Sequence, residues 1–528
     1  MTAAIHGLNF VGAALRKSGR TFSVSAPADG TPLDGRFHLA QPVDAEEAAQ
    51  SAAAAAGPLA RSTGEERALL LEAIADELLA LGDGLVARAA AETALPEARI
   101  IAERGRTAAQ LRLFAGVARE GSWVDARIDR ALPDRQPLPR PDIRRMLLPI
   151  GPVVVFGSSN FPLAFSVAGG DTASALCTGN PVIVKAHRGH PGTSELVAGA
   201  VRRAVEKRGA HPGVFSMLHG EGSVIGVQLV RDPRVRAVGF TGSRAGGRAL
   251  AAAAASRPEP IPVFAEMSSA NPVFVLPGAL AERAAAIAEG FRASMTLGVG
   301  QFCTKPGLLV AIEGPDLARF RDLLAAAVAA TPPASMLGDE ILAEFDHHRD
   351  ALLAVPGVRA LARVEGADAA CTQAGAVLAE TDAATFLAQG RCADEVFGPM
   401  SLLVAARDAR ELHAVAAGLS GQLTAAVHGT AADLDGAADL LELLAGRAGR
   451  VIVNGYPTGV EVCHAMHHGG PPPATSDARF TSVGSAALER FVRPVCLQDL
   501  PARLLPPALA DDNPLGIERL VDGVRGRH

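Results

Sequence analysis

The sequence predicts an α/β fold in which parallel sheets are covered by helices. The first observation is that short, almost wholly apolar strands alternate with helical segments from residue 150 to about residue 455. This alternation is typical of parallel sheets that are buried on both faces. The second observation is that polar residues repeatedly follow directly after these strands, at the sheet edge where ligands bind. The length of 528 residues leaves room for roughly three domains.

Composition narrows the class of protein. Hydrophobic residues make up 48% of the chain and charged residues 20%, with a net charge of -6, which is typical of a soluble globular protein. The chain has no basic tract of the kind that binds nucleic acid or an anionic membrane. The N-terminus lacks the basic-then-apolar order of a signal peptide. We therefore expect a cytoplasmic protein. The six cysteines form no C-x-x-C pair, so neither a structural zinc site nor a disulfide framework is indicated.

The predicted elements follow the chain in order. Residues 44–120 have the Ala/Leu/Glu/Arg spacing of helices, and a short Pro/Arg-rich connection over 132–142 leads to a strand over 144–149. Apolar strands are predicted over 152–157, 181–185, 214–218, 236–240 and 262–265, with helices over 164–178, 194–207 and 244–255. A second α/β stretch begins with a strand at 271–276 and a helix at 279–295. It continues through a strand at 308–312, and a strand at 491–497 closes the series.

Cys303 is the candidate nucleophile. It lies in the segment GVGQFCTKPGLLV, between glycines and the predicted strand over 308–312, and glycines let a backbone pass close to a ligand. A cysteine on such a loop can reach a substrate, and its thiolate is a strong nucleophile. A lone free cysteine is more often a small buried apolar side chain. The catalytic interpretation therefore depends on its partners.

Three further segments place polar groups directly after predicted strands. The segment FTGSRAGG, residues 240–247, joins a strand to a helix, where free N–H groups can bind phosphate, although an ordinary tight turn has the same residues. Glu266 ends a strand and could be a general base for water, or a helix-cap partner or surface residue. The Asn160 amide could stabilise an oxyanion, or simply form a turn.

Together these segments resemble the motifs of the aldehyde dehydrogenase superfamily. Six motifs stand in the family's order, namely SSNFP, PVIVKAH, FTGS, FAEMSSANP, GQFCT and DEVFGPM. The resemblance runs from about residue 25 to residue 500. It implies a Rossmann-type parallel-sheet cofactor domain, an α/β catalytic domain and a small β oligomerisation arm.

The resemblance also implies roles for the motif residues. Cys303 would attack the aldehyde carbon to form a thiohemiacetal, Asn160 would bind the oxyanion, and Glu266 would activate water to hydrolyse the thioester. Arg188 stands where many NAD-using members carry a Glu that would repel a 2′-phosphate. We therefore expect NADP as the cofactor, with NAD also accepted, unless Arg188 merely points into solvent. The other cofactor-binding residues implied are Lys185, Thr241, Gly242, Ser243, Gly247, Glu395 and Phe397.

One departure from the family concerns the segment after Glu266. Most members continue E-L-G-G, whereas this chain continues with Met267, Ser268 and Ser269. Because Glu266 itself is retained, only the conformation of the following loop is affected.

The sequence that flanks the motifs resembles that of the ketoglutaric semialdehyde (2,5-dioxopentanoate) dehydrogenase subfamily. This resemblance implies oxidation of 2,5-dioxopentanoate to 2-oxoglutarate. Its carboxylate needs a cation, and Arg106 is the candidate because arginine pairs with carboxylates through two parallel hydrogen bonds. Phe161, Phe165 and Phe302 would form an apolar wall. If Arg106 instead faces the surface, medium- or long-chain fatty aldehydes become the expected substrates.

Two other classes of function remain open at this stage. The same thiol, amide and carboxylate would serve a cysteine esterase or acyl transferase, although such an enzyme needs no cofactor site. A scaffold that only binds nucleotide would not need Cys303, Glu266 and Asn160 together.

The implied domain boundaries are 1–130 with 150–268 for the cofactor domain and 269–450 for the catalytic domain. The arm would comprise 131–149 with 480–500. The resemblance implies a homodimer or homotetramer, and without assembly the sheet edges of the arm would be unpaired.

Overall fold

The computed structural model describes residues 5–528, apart from the side chain of Ala369. Residues 1–4, which belong to the predicted cofactor domain and to the N-terminal segment compared with signal peptides, lie outside the described residues. In the first half of the chain the helices are α1 (Pro42–Arg61), α2 (Gly64–Ala80), α3 (Gly82–Thr93), α4 (Glu97–Glu120), α5 (Gly170–Cys177), α6 (Pro191–Lys207), α7 (Val227–Arg231) and α8 (Arg244–Ala255). The strands are β1 (Asn9–Val11), β2 (Ala14–Arg16), β3 (Thr21–Phe22), β4 (Phe37–His38), β5 (Arg127–Asp129), β6 (Ile143–Pro149), β7 (Val153–Phe156), β8 (Val182–Lys185), β9 (Phe215–Leu218), β10 (Ala237–Thr241) and β11 (Val263–Glu266).

The second half continues with helices and strands in alternation. The helices are α9 (Pro277–Thr296), α10 (Pro315–Ala329), α11 (Asp339–Leu353), α12 (Ala383–Ala388), α13 (Ala409–Gly418), α14 (Ala431–Asp435) and α15 (Ala438–Ala445). The strands are β12 (Val273–Val275), β13 (Leu308–Ile312), β14 (Ala334–Ser335), β15 (Arg359–Arg363), β16 (Gln373–Ala374), β17 (Val377–Asp382), β18 (Met400–Ala406), β19 (Gln422–His428), β20 (Ala448–Val453), β21 (Val492–Gln498), β22 (Arg519–Val521) and β23 (Val524–Gly526).

Two seven-stranded sheets form the cores of the molecule. The first has the order β11-β10-β7-β8-β9-β1-β2, and its strands from β11 to β9 are parallel. The second has the order β15-β17-β18-β13-β12-β19-β20 and is parallel apart from β15. The central strands are buried on both faces, as their unbroken apolar sequences predict. The predicted α/β fold is confirmed.

A smaller five-stranded sheet joins segments far apart in the chain. Strands β21 and β6 pair antiparallel from Val492 opposite Pro149 to Gln498 opposite Ile143, and the full order is β21-β6-β5-β22-β23. The strands predicted at 144–149 and 491–497 are therefore present. Strands β5, β22 and β23 lie outside the predicted arm. Each has only three residues, too few to show a periodic pattern.

The helix predicted over 164–178 is wrong in its first part, because α5 begins only at Gly170. The backbone N–H groups of Leu163 and Ala164 instead donate to the Glu103 carboxylate at 2.8 and 2.9 Å. Gly169 packs so closely on the Ala164 carbonyl that a Cβ there would lie 2.4 Å from the oxygen. Residues before Gly170 therefore form a loop wrapped around a buried carboxylate.

Within the described residues, no helix combines the length and apolarity needed to cross a bilayer. The longest helix, α4, carries charged residues along its length, and several of them point towards the site described below.

A buried ion pair attaches the C-terminal segment to the first sheet. Arg490 donates to Asp171 on α5 at 2.7 Å, and both side chains are almost inaccessible to solvent. Removing the carboxylate would leave the Arg490 guanidinium buried without a charge partner. This arrangement contrasts with the solvent-exposed pair Arg112–Asp76, at 2.9 Å.

We predict that Asp171→Ala lowers the free energy of unfolding by about 3–5 kcal/mol, as loss of one partner of a buried pair usually does. Urea unfolding followed by circular dichroism measures the change. The double variant Asp171→Ala/Arg490→Met should recover most of the loss. Asp76→Ala, the control at the exposed pair, should cost less than about 1 kcal/mol. Equal losses at the two sites would contradict the role of the buried pair.

Candidate active site

The residues predicted at the ends of strands lie at one edge of the first sheet. Lys185, Thr241 and Glu266 are the last residues of β8, β10 and β11, and Thr241 pairs in register with Glu266. Asn160 follows β7 by four residues. Because these strands are parallel, their carboxyl ends meet on the same side. The second sheet contributes the loop that precedes β13 and carries Cys303.

The loop before Cys303 requires glycine at one position. Residues 298–300 have positive φ, and Gly300 has φ of 67°. A Cβ on Gly300 would lie 2.3 Å from the carbonyl oxygen of Gly398, so only glycine allows the two backbones to touch. The nucleophile loop thus rests directly on the 395–400 segment, which sequence analysis assigned to the cofactor.

Asn271 holds the backbone beside the nucleophile. Its Nδ2 donates to the carbonyl oxygens of Cys303 at 2.8 Å and Lys305 at 3.0 Å. Its Oδ1 accepts hydrogen bonds from the hydroxyls of Ser269 and Thr424, both at 2.9 Å. The segment in which this chain departs from the family motif is therefore tied both to β19 and to the nucleophile loop.

Gln422 completes this support from the first residue of β19. Its Oε1 accepts hydrogen bonds from the backbone N–H groups of Ala270 and Asn271 at 2.8 and 3.0 Å. It also lies 3.0 Å from the Ser269 hydroxyl, whose single proton it shares with Asn271 Oδ1. Sequence analysis did not single out Asn271 or Gln422 as site residues.

Cys303, His468 and Glu266 form a compact cluster. Cys303 Sγ lies 3.6 Å from His468 Nε2, which lies 3.0 Å from Glu266 Oε1. The other carboxylate oxygen accepts a hydrogen bond from Ser482 Oγ at 2.5 Å. His468 was missed from the sequence, although it lies in the His-rich segment HAMHHGG, because nothing local indicates which histidine turns inward.

The surroundings shift the two ionisable partners in opposite directions. Burial, together with the nearby charges of Glu266 and Glu395, raises the pKa of the Cys303 thiol well above its usual value. Burial also acts to raise the pKa of Glu266, but the His468 imidazole and the Ser482 hydroxyl outweigh it, so the pKa is lowered. The resting site therefore pairs a protonated thiol with an ionised carboxylate at neutral pH.

Asn160 lies against the nucleophile loop. Its Nδ2 donates to the backbone carbonyl oxygen of Gln301 at 2.9 Å, and the backbone carbonyl oxygen of Asn160 accepts from Arg99 at 2.8 Å. One amide hydrogen is thus held by the protein, and the second remains for an oxygen bound near Cys303.

Three phenylalanines line the approach to Cys303. The ring of Phe161 packs edge-on against Phe165 and Phe302, with centroids 5.2 and 5.5 Å apart. Arg99 lies over Phe161 and Phe302, at 4.9 and 4.4 Å from the ring centroids. Sequence analysis expected the three aromatic rings here but not Arg99.

Arg106 lies over the same wall. Its guanidinium is 5.7 Å from the Phe161 centroid and 5.6 Å from the Phe165 centroid. Its Nε and Nη2 are buried and make no hydrogen bond within the described residues. Burial lowers its pKa, while the charge of Glu103 acts in the opposite direction. Two buried guanidinium nitrogens without hydrogen-bond partners are costly for the fold and are suited to receive an anion.

The segment over 240–247 has the expected strand-turn-helix form. Ser243 caps α8 by accepting from the Gly246 N–H at 3.2 Å, and the start of this helix is exposed. Gly242 donates its N–H to the carbonyl oxygen of Glu266 at 3.1 Å. Gly247 is buried beneath the helix, where a Cβ would lie 2.7 Å from Met267 Sδ. Its location therefore favours close packing of α8 on the sheet rather than direct ligand contact.

The remaining residues predicted to bind the cofactor differ in burial and charge. Burial lowers the pKa of Lys185 to about 8, and no carboxylate of the described chain lies within ion-pair distance of its ammonium. Arg188 pairs with Glu340 at 3.0 Å, and both side chains are largely exposed. Phe397 is half-buried beside Gly398.

Glu395 lies next to a buried lysine. Burial raises the pKa of Glu395 to about 7, against the opposing effects of Lys305, the Ser268 hydroxyl and the Ser269 N–H. Lys305 donates to the carbonyl oxygens of Val396 at 3.0 Å and Met400 at 2.6 Å. The lysine two residues after the nucleophile thus anchors the segment that carries Glu395 and Phe397.

Comparison with known proteins identifies relatives that match nearly the whole chain. The aldehyde dehydrogenase family model matches residues 15–491. Alpha-ketoglutaric semialdehyde dehydrogenase 2 of Azospirillum brasilense is 55% identical over 97% of this chain and 97% of its own. The alpha-ketoglutaric semialdehyde dehydrogenase of Acinetobacter baylyi is 46% identical over 94% of both chains.

A solved structure supports the fold. The NADP-dependent glyceraldehyde-3-phosphate dehydrogenase of Bacillus halodurans, in complex with NADP, covers 94% of this chain and 100% of its own with a TM-score of 0.78. At 21% identity this likeness concerns the fold alone.

The fold and the cysteine site define an oxidoreductase that acts on aldehydes with NAD(P). The chain belongs to the aldehyde dehydrogenase family. This membership confirms the predicted family and enzyme class over the esterase and nucleotide-scaffold alternatives. The individual site residues stay predictions that mutation can test.

We predict that Cys303→Ala lowers kcat for aldehyde oxidation by at least about 1,000-fold, because no other group can form the covalent intermediate. Cofactor reduction measures activity, and cofactor affinity should remain within a few fold of the parent. Cys496→Ala, which removes an exposed thiol on β21, should leave activity unchanged. Oxidation retained by Cys303→Ala would contradict the assignment of the nucleophile.

Proposed function

We propose that this enzyme oxidises 2,5-dioxopentanoate, the α-ketoglutaric semialdehyde, to 2-oxoglutarate with NADP. The observation that carries the substrate assignment is the buried guanidinium of Arg106, whose Nε and Nη2 make no hydrogen bond within the described residues. The two relatives with high identity over nearly their whole length carry the corresponding name.

Arg106 suits a substrate with a carboxylate at the end opposite its aldehyde. It lies on α4 seven residues after Arg99, so the two side chains share a face of the helix. Both contact Phe161. Arg99 is already engaged by the Asn160 carbonyl, which leaves Arg106 to receive the carboxylate. The substrate carboxylate would form charge-assisted, bidentate hydrogen bonds with the guanidinium and so offset its loss of hydration.

The first chemical step is the attack of Cys303 on the aldehyde carbon. Because the thiol is protonated at rest, its proton must leave before attack. His468 Nε2, at 3.6 Å from Sγ, is placed to accept it, with Glu266 to stabilise the imidazolium. The thiolate then forms the thiohemiacetal, whose oxyanion would receive hydrogen bonds from Asn160 Nδ2 and from the Cys303 backbone N–H.

A dinucleotide would bind between the two sheets, along the residues that the family resemblance assigns to the cofactor. When bound there, NAD(P) supplies the acceptor for the hydride that leaves the thiohemiacetal carbon. The N-terminus of α8, with Thr241, Gly242 and Ser243, would bind the pyrophosphate. Lys185, whose ammonium lacks an ion-pair partner in the described chain, and Glu395 would bind ribose hydroxyls, and Phe397 would pack at the nicotinamide end.

Glu266 would complete the cycle as a general base. Its lowered pKa keeps the carboxylate ionised at neutral pH, so it can take a proton from the water that hydrolyses the thioester. Hydrolysis releases the product carboxylate and leaves the sulfur of Cys303 free. The hydrogen bond from Ser482 to Oε2 orients the carboxylate so that Oε1 faces the reacting centre.

The preference for NADP rests on Arg188. Its guanidinium carries a positive charge at the position where an NAD-specific relative would present a carboxylate, and it pairs with the exposed Glu340 of α11. A 2′-phosphate would compete with this exposed carboxylate for the guanidinium.

Assembly into a homodimer or homotetramer would use the five-stranded sheet. Strand β21 forms one edge, and most of its residues are exposed. Strand β23 forms the other edge and exposes Val524. Pairing of such edges between copies removes unsatisfied backbone groups.

A fatty aldehyde remains the second candidate substrate because Phe161, Phe165 and Phe302 form an apolar wall. Parallel assays with 2,5-dioxopentanoate and hexanal separate the two candidates. Faster turnover of hexanal under limiting substrate would overturn the proposed substrate without changing the enzyme class.

We predict that Arg106→Met raises KM for 2,5-dioxopentanoate by about 10- to 100-fold, the loss expected when a hydrogen bond to a charged group is removed. KM for hexanal, which has no carboxylate, should change little. The unfolding temperature should not fall, because the variant removes a buried charge without hydrogen-bond partners. Arg112→Met, at an exposed arginine of the same helix, is the control. Equal changes for both substrates would contradict the carboxylate role.

We predict that Glu340→Gln raises affinity for NADP by about 2- to 5-fold, the range for release of one exposed ion-pair partner. Affinity for NAD should stay constant, since NAD has no 2′-phosphate. Arg188→Ala should weaken NADP binding selectively. Fluorescence titration with each cofactor measures both effects, and equal changes for NAD and NADP would show that Arg188 does not contact the 2′-phosphate.

A further inference from the structure

We propose that Cys303, His468 and Glu266 together form an inhibitory binding site for Zn²⁺, which would compete with the aldehyde. The inhibition rests on the proposed function of this site, whereas the binding of the metal does not. In this proposal Sγ, Nε2 and Oε1 are the three ligand atoms, and a water molecule would take the fourth position.

The spacing of the three atoms fits one tetrahedral ion. Sulfur and nitrogen ligands of a tetrahedral Zn²⁺ lie about 3.6 Å apart, and nitrogen and oxygen ligands about 3.4 Å apart, as follows from the usual bond lengths. The corresponding distances here are 3.6 Å from Sγ to Nε2 and 3.0 Å from Nε2 to Oε1. All three ligand atoms lie within 4.8 Å of one another. Small side-chain movements would therefore complete the geometry.

One of the three converging atoms has no hydrogen bond. Glu266 Oε1 is buried and has none of acceptable geometry within the described residues, although His468 Nε2 is only 3.0 Å away. A buried carboxylate oxygen without a hydrogen bond is costly. A cation placed between the three atoms would give this oxygen a partner and would replace the contact between Sγ and Nε2.

The chemistry of the donors selects the metal. Thiolate and imidazole favour Zn²⁺ over Mg²⁺ and Ca²⁺, which prefer sets of oxygen ligands. A thiolate and a carboxylate together carry two negative charges, which balance those of the ion. Binding would replace the proton on Cys303 by a sulfur–zinc bond and release that proton to solvent, with no change of oxidation state.

The surrounding structure holds each ligand in place. Ser482 fixes Glu266 through Oε2 at 2.5 Å, and Asn271 fixes the Cys303 carbonyl at 2.8 Å. The His468 backbone N–H donates to Thr481 Oγ1 at 2.8 Å. The hydrogen bond from Ser482 is an outer contact of the kind that orients metal ligands, whereas His468 Nδ1 has no hydrogen bond within the described residues. Cys303 is only partly buried, which leaves a path for entry.

Other thiols and imidazoles nearby do not form an equivalent group. Among the described residues, Cys303, His468 and Glu266 are the one set of three whose ligand atoms converge in this way. His464, in the same His-rich segment, is engaged with Ser485 Oγ at 3.0 Å. Cys463 and His467 are a thiol and an imidazole in the same segment that lie outside this set of three, so they serve as matched controls.

Occupation of the site would stop catalysis for a specific reason. The ion would hold the nucleophile, the group that accepts its proton and the base for deacylation at the same time. Inhibition by Zn²⁺ should therefore be competitive with aldehyde and reversed by a chelator.

Titration of the chelator-treated full-length enzyme with Co²⁺, in the absence of substrate, tests the proposal. We expect one equivalent to produce a thiolate-to-cobalt charge-transfer band and the intense visible bands of tetrahedral Co²⁺, and Zn²⁺ to abolish both. Cys303→Ser should lose the charge-transfer band. Loss of an outer contact typically weakens metal binding by about 10- to 100-fold. His468→Phe removes a direct ligand and should therefore weaken Co²⁺ binding by more than this. Cys463→Ser and His467→Phe should bind as the parent does.

Several outcomes would overturn the metal site. The metal site would be overturned by a charge-transfer band that persists in Cys303→Ser. It would also be overturned if the parent enzyme showed only the weak bands of octahedral Co²⁺. Glu266→Gln provides a second test if His468→Phe does not fold by circular dichroism, and unchanged Co²⁺ affinity there would count against the site. Because the spectra need no substrate, failure to oxidise 2,5-dioxopentanoate would contradict the proposed function but not the metal site. Oxidation of 2,5-dioxopentanoate without the cobalt spectrum would contradict the metal site but not the proposed function.

Discussion

The hydrogen bonds of Asn271 are the constraint on which the rest of the site depends. This residue stands where the chain passes from the first sheet to the second, with a φ of 48°, a conformation that asparagine tolerates better than most residues. It connects β19 to the backbone on both sides of Thr304. The strand that ends at Glu266 and the loop that carries Cys303 are therefore held in one geometry, although they belong to different sheets.

A second constraint comes from the buried charge of Lys305. Burial lowers its pKa to about 8, so keeping the charged ammonium at this position costs stability. Two backbone carbonyl oxygens of the 395–400 segment and the nearby Glu395 offset that cost. Together with the backbone contact at Gly300, this lysine joins the nucleophile loop to the segment proposed to bind the cofactor. Chemistry and cofactor binding thereby depend on the same few contacts.

Several polar atoms around the proposed reaction centre are buried without a hydrogen bond within the described residues. They include Nε and Nη2 of Arg106, Oε1 of Glu266 and Nδ1 of His468. Glu103, buried one turn before Arg106, shares this property at Oε2, although its Oε1 accepts hydrogen bonds from two backbone N–H groups. Burial of such atoms is costly to the fold, and atoms of the same kind also occur elsewhere in the described chain, as at Arg202 and Arg519.

The sequence by itself determined the apolar strands β7 to β11, their parallel arrangement and the residues at their ends, because these depend on local apolar runs and on motif order. Lys185 and Glu266 could be named from the strand ends, and Cys303 from its glycine-flanked motif. The tertiary structure alone decided that His468, 165 residues beyond Cys303, lies beside the thiol, and that Glu340 faces Arg188. It also decided that α5 begins at Gly170. Such contacts depend on side chains meeting within a few ångströms across separate elements, and no local pattern encodes that distance.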